Sequence, residues 1–266
     1  MKVFILTKKR ILAVFLIIAA ISSIACLSFA GIAVKTSTRN KRLPIYSVGT
    51  NEKKIAISFD AAWGNEDTQM LIDILKKYNV KATFFLVGEW VDKYPESVKA
   101  LCDAGHSIQN HSDTHPHMTQ ISKQEMISQI ENCNKKIEKI TGVKPTLLRP
   151  PYGDYNNSVV ETIEELGMYA IQWSVDSLDW KDYDAQTIYN KVVPKIQCGS
   201  IVLFHNAALH TPEALPSIIE KLQSEGYTFV TIADLIYKDN YTIDIAGNQI
   251  QCTPAQTTET KTTVKH

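Results

Sequence analysis

From Lys54 to about residue 238 the chain alternates short β-branched runs with amphipathic stretches, and this rhythm limits the fold more than any other feature. "KIAISF" at 54–59 reads as a strand, and "DTQMLIDILKKY" places Leu71, Ile74, Leu75 and Tyr78 on one helical stripe. "KATFFLV" and "HSIQ" read as the second and third strands, with a helix over 90–104 between them. A helix over 122–140 carries Met126, Ile130, Cys133, Ile137 and Ile140 on one face. "TLLR", "MYAIQWSV", "SIVLFH" and "TFVTI" complete the strands, separated by helical runs at 156–166, 185–196 and 212–226. About seven strands divided by helices should run parallel, because each return is made through a helix. The pattern predicts an α/β fold: a distorted, incomplete (β/α) barrel rather than an open doubly wound sheet. No phosphate-cradling glycine loop follows the first strand, which removes a dinucleotide-binding reading.

Outside this region the sequence changes character. Lys8, Lys9 and Arg10 precede residues 11–34, which carry no charge. Those 24 residues would span roughly 36 Å as a helix, more than the ~30 Å hydrocarbon core. The basic flank predicts an N-terminal signal-anchor over 1–34, with the rest of the chain on the extracytoplasmic side of the cell membrane as a single-pass protein. The competing reading is a signal peptide cleaved after "SFA", giving a secreted protein. Residues 35–52 read as a linker, 53–238 as the domain, and 239–266 as a Thr-rich tail without an apolar period, expected to be disordered. Lys plus Arg and Asp plus Glu both total 28, so no basic face for nucleic acid is expected. Cys102, Cys133, Cys198 and Cys252 match no metal knuckle, and the first two fall on apolar stripes as small core residues.

In a (β/α) barrel, chemistry gathers at the carboxyl ends of strands. Here the first strand is followed by Asp60, the third by "NHSDTH" with His111 and His115, and the fourth by "RPPYG" headed by Arg149. The fifth is followed by "DSLDW" with Asp176, Asp179 and Trp180, and the sixth ends at His205. Each has an ordinary explanation alone: a helix cap, a polar loop, a tight turn or a satisfied core histidine. Together they would all face one rim. Two histidines four apart can present both imidazoles to one divalent ion, and an Asp beside His205 would raise its pKa and suit it to general-acid work. His117, behind Pro116, reads as lying outside such a site.

Taken as an ordered set, "SFDAAWG", "HSDTH", "RPPYG", "DSLDW" and "LFH" resemble the motifs of polysaccharide deacetylases, the carbohydrate esterase family that shares the NodB homology domain. The likeness covers about residues 53–238 and is strongest to the sporulation-associated branch of spore-forming bacteria. It implies hydrolysis of the N-acetyl group of an amino sugar around a divalent ion, zinc or similar. By the same resemblance, His111 and His115 bind the metal, Asp60 is the general base, and Arg149 orients it. His205 is the general acid tuned by Asp179, the Tyr152 backbone N–H holds the oxyanion, and Trp180 and Leu203 line the groove for the acetyl methyl.

One position departs from the family pattern. Where a second Asp normally follows the base as third metal ligand, this chain has Ala61. Two neutral imidazoles should hold a dication more weakly than two imidazoles and a carboxylate. Water, a swing of Asp60, or Glu66 or Asp67 reaching across would be the substitutes. The resemblance therefore implies a metal-dependent deacetylase of cell-wall glycan, peptidoglycan first. The alternatives are a catalytically impaired glycan-binding wall protein and a deacetylase of chitin-like or exopolysaccharide chains. The expected partners are the glycan and the membrane, with no nucleic acid and no protein partner inferred.

Overall fold

The computed structural model describes residues 41–252. The expected anchor over 1–34 and the Thr-rich end from 253 lie outside the described residues, and among those described no helix is long and apolar enough to cross a membrane.

A short strand, β1 (Ser47–Gly49), precedes the main sheet. The centre of that sheet is β2 (Lys54–Ala61), flanked by β3 (Thr83–Leu86) and β8 (Ile201–His205). Beyond β3 follow β4 (Ser107–Asn110), β5 (Leu147–Leu148) and β6 (Tyr169–Ala170), and beyond β8 lies β7 (Val175–Asp176). These seven strands pair in parallel, and β9 (Thr228–Phe229) adds a short parallel rung beside the start of β2. The parallel half-barrel expected from the alternation is what forms.

The reason is visible in β2, which is buried on both faces after its first residue. Ile55, Ile57 and Phe59 pack into the layer between sheet and helices, while Ala56 points the other way, into a cluster with Phe85, Leu147, Ile171 and Ile201. The same alternation sends Ser58 and Asp60 to the face of Ala56. The barrel interior is thus apolar low down and polar at the carboxyl ends. Phe59 stacks between Phe84 at 4.8 Å and Phe204 at 5.7 Å. Truncating it to Ala should lower unfolding free energy by about 3–5 kcal/mol, read from the denaturant midpoint.

Several boundaries differ from expectation. "MYAIQWSV" is not one strand: β6 and β7 lie on opposite edges of the sheet. The chain between them crosses the open side of the barrel, where Ile171 bridges Ile45 in parallel and the Gln172 N–H donates to the Ile45 carbonyl at 2.7 Å. Ile45 therefore belongs to the folded domain rather than to a linker. β1 likewise pairs in parallel with β11 (Asn248–Gln251), which pairs antiparallel with β10 (Tyr241–Ile243), so part of the stretch expected as tail forms a second, three-stranded sheet. Strands of three or four residues are too short to announce themselves by period. The helix expected over 90–104 is two, Gly88–Lys93 and Pro95–Asp103, because Pro95 opens a new first turn. The four described cysteines are free thiols, with Cys133 fully buried as expected.

Candidate active site

Strand register brings the acid–base residues together. Asp60 and His205 are direct partners across β2 and β8, so their side chains leave the sheet on the same face. The His111 N–H donates to the Leu86 carbonyl at 3.0 Å and the Arg149 N–H to the Asn110 carbonyl at 3.1 Å, which extends the ladder to the next two strand ends. Six of the eight described non-glycine residues with positive φ (Ser112, His115, Tyr152, Leu178, Asp182 and Ala207) sit in loops that follow β4, β5, β7 and β8. Backbone strain of this kind concentrates where side chains must be aimed.

Asp60 is held by a fully buried arginine. Arg149 Nη1 donates to Asp60 Oδ1 at 2.6 Å, and Nη2 donates to Ser58 Oγ at 2.9 Å and to the Gln172 carbonyl at 3.3 Å. The guanidinium also lies over the Phe85 ring, 4.2 Å from its centroid. Burial alone would raise the Asp60 carboxyl, but the charge and hydrogen bond of Arg149 hold it below the ordinary carboxylate value. Asp60 is ionised, and its second oxygen is turned towards His111, 3.5 Å from Nε2.

The two imidazoles converge as the spacing predicted. His111 Nδ1 donates to the Arg149 carbonyl at 2.7 Å, which leaves the Nε2 lone pair facing His115 Nε2 at 3.2 Å. Two nitrogens on one tetrahedral zinc stand about 3.3 Å apart, so this pair fits one ion. Burial pushes both imidazoles down, His115 to about 4 with His111 adding to the effect, so both are neutral near pH 7. The third place is not filled by a carboxylate. Ala61 is buried among Phe59, Leu86 and Val87, and among the described residues no three His, Cys, Asp or Glu side chains are arranged to hold a metal. Glu66 and Asp67 are engaged elsewhere: Glu66 accepts from the Asn65 N–H, and Asp67 from the Ala207 N–H, each at 2.9 Å.

His205 is fixed just as firmly. Its Nδ1 donates to Asp179 Oδ1 at 2.8 Å, its backbone N–H donates to Oδ2 at 2.9 Å, and the Thr211 hydroxyl donates to the same oxygen at 2.7 Å. Burial would lower the imidazole, but the hydrogen bond and charge of Asp179 outweigh it and hold the group above its ordinary value. Asp60, His111, His115 and His205 share one cavity of about 490 Å³, with Tyr152, Trp180 and Leu203 on its walls. All nine site residues expected from the sequence meet around this space or directly support it.

Trp63 joins the cavity wall, whereas His117 stays off it, as expected. His117 stacks on Tyr152 with centroids 4.1 Å apart, because a positive φ at Tyr152 turns that ring outward to meet it. Trp63, within the quoted "SFDAAWG", lines the cavity and lies nearly parallel to the His205 ring. The signal for it was an indole three residues beyond the carboxylate.

The family model described as polysaccharide deacetylase matches residues 47–171. The peptidoglycan-N-acetylmuramic acid deacetylase PdaA of Bacillus subtilis is 34% identical over 197 residues, covering 73% of this chain and 75% of its own length. This chain belongs to the polysaccharide deacetylase family. Another member, the peptidoglycan-N-acetylglucosamine deacetylase PgdA of Listeria monocytogenes, is 40% identical over 194 residues, but the match covers 73% of this chain and only 41% of the Listeria protein. This chain therefore spans about two fifths of that relative's length. Among solved structures, a CE4 family pseudoenzyme from Bacillus anthracis, BA3943, superposes with a TM-score of 0.71 at 38% identity, covering 73% of this chain and 69% of that one. A mutant of BA3943 with restored enzymatic activity superposes at 0.70 with 39% identity, covering 73% and 71%.

Proposed function

We propose that this chain hydrolyses N-acetyl groups from the amino sugars of peptidoglycan outside the membrane. The observation that carries this reading is the pairing of Asp60 with His205 across β2 and β8, each locked by its own buried partner at one cavity. Relatives named for peptidoglycan substrates support the choice of glycan.

The residues divide the work as follows. Arg149 keeps Asp60 ionised and occupies one oxygen, leaving Oδ2 to take a proton from an attacking water. A divalent ion held by His111 and His115 would supply Lewis-acid polarisation of the acetyl carbonyl. The Tyr152 backbone N–H would help bind the developing oxyanion. Asp179 fixes His205 with its proton on Nδ1, so Nε2, once protonated, gives a proton to the leaving amine. Trp180 and Leu203 would seat the acetyl methyl.

The acid must be protonated to work, so activity should fall as pH rises through the His205 pKa, which lies above its ordinary 6.5. Asp179→Asn removes the charge that raises it. The alkaline limb of the kcat/KM profile should then move to lower pH, while the acid limb stays put.

The assay is mass spectrometry of muropeptides after treatment with the purified chain and zinc. It should show free amines on glucosamine or muramic acid residues. Unchanged N-acetylation of both sugars would reject the proposal. Ala61 favours a second reading, a glycan-binding wall protein without turnover; it predicts glycan retention that a chelator does not alter.

A further inference from the structure

The loop that carries His111 and His115 is strained at two points. Ser112 and His115 hold φ +67 and +58, in the left-handed region that non-glycine residues rarely adopt. Such a backbone persists only where its surroundings over-determine it. Much of that restraint comes from side chains of one helix, Lys123–Thr141.

Gln129 on this helix reaches the two residues between the strained positions. Its Oε1 accepts from the Asp113 N–H at 3.0 Å and from the Thr114 N–H at 2.8 Å. Its Nε2 donates to the Thr114 hydroxyl at 2.9 Å. Only an amide oxygen can accept from two N–H groups, which fixes the orientation of the side chain. Lys136, two turns further along, ties the Asp113 carboxylate at 2.6 Å to that of Asp92 at 2.7 Å. Asn134 acts at one remove: it accepts from Asn110 Nδ2 at 2.8 Å, and Asn110 Oδ1 accepts from the Ser112 N–H at 2.7 Å.

His111 has anchors of its own in the Leu86 and Arg149 carbonyls. His115 is placed by the loop: its backbone N–H donates to Ser112 Oγ at 3.0 Å, and its ring lies edge-on to Tyr152. We propose that Gln129 is a positioning residue for the metal pair, and that its grip on the loop sets the separation of the His111 and His115 imidazoles. The inference rests on the metal reading of these histidines and concerns geometry, not turnover. With Ala61 in place of a carboxylate, the ion has fewer protein ligands to draw a misplaced imidazole back, so the pair must be set beforehand. Gln129 is half-buried, so in its absence water can satisfy both N–H groups but cannot fix them in place.

The test is calorimetric zinc binding, at about 0.5 M salt to screen added charge, with metal-free melts beside it. The proteins are the purified chain and its Gln129→Met and Gln129→Glu variants. Met keeps the length of the side chain and loses the acceptor, whereas Glu keeps an acceptor for both N–H groups. Gln129→Met should weaken zinc binding at least about 10-fold, while its metal-free melting temperature stays within about 2 °C of wild type. Gln129→Glu should bind zinc within about threefold of wild type. Equal zinc affinity in wild type and Gln129→Met would overturn this inference and leave the metal reading standing. A loss as large in Gln129→Glu as in Gln129→Met would also overturn it. So would a loss in Gln129→Met that comes with a lowered metal-free melt, which would make Gln129 a structural residue. A wild-type chain that binds no zinc would overturn the metal reading with it.

Discussion

Asp60→Asn should reduce kcat for acetate release by about 10³-fold or more, with little change in KM. Asn keeps an oxygen that can accept from Arg149 Nη1, so the hydrogen bond at 2.6 Å has a substitute. What is lost is the basic oxygen turned towards the imidazoles and the charge that balances a fully buried guanidinium. The variant should therefore fold, with stability lowered by about 1–3 kcal/mol for an imperfectly compensated charge. Steady-state kinetics beside a thermal melt separates the two effects. Activity within tenfold of wild type would remove Asp60 from the base position.

The second large effect is a gain. Ala61→Asp supplies the carboxylate that the family pattern places beside the base, and zinc affinity should rise by at least ~100-fold, about 2.7 kcal/mol. Position 61 is buried in the apolar layer with Phe59 and Val87, so without the ion the new carboxylate should cost about 1–3 kcal/mol of stability. Zinc should then raise the melting temperature of the variant much more than that of the wild type, since binding to the folded state alone stabilises it. Calorimetry with and without zinc reads both quantities. Equal zinc affinity in the two proteins would mean that the free oxygen of Asp60, rather than position 61, completes the ligand set.

Much of the site could be read from the chain because its residues terminate continuous apolar runs. Asp60 ends "KIAISF" and His205 ends "IVLF", and a parallel barrel turns such endings towards one rim. Strand register could not be read: the pairing of Asp60 with His205 depends on how β2 and β8 slide together. "MYAIQWSV" looks like one strand because its apolar content is continuous, yet the gap between the sheet edges breaks it, and Ile45 enters that gap. His117 lies off the cavity wall, as its place behind Pro116 suggests, but its stacking on Tyr152 was not legible, because Tyr152 holds a left-handed backbone set by tertiary context. Trp63 was in plain view. Nothing in the period of the chain says that an indole behind two alanines will stay in solvent.

Acetate released from N-acetylated peptidoglycan by the purified chain, titrated with zinc and then with chelator, tests the central claim most directly. The pairing of Asp60 with His205 around two neutral imidazoles predicts release that rises with zinc, matches the free amines formed, and stops when the ion is removed. Glycan bound firmly at saturating zinc with no acetate released would contradict it.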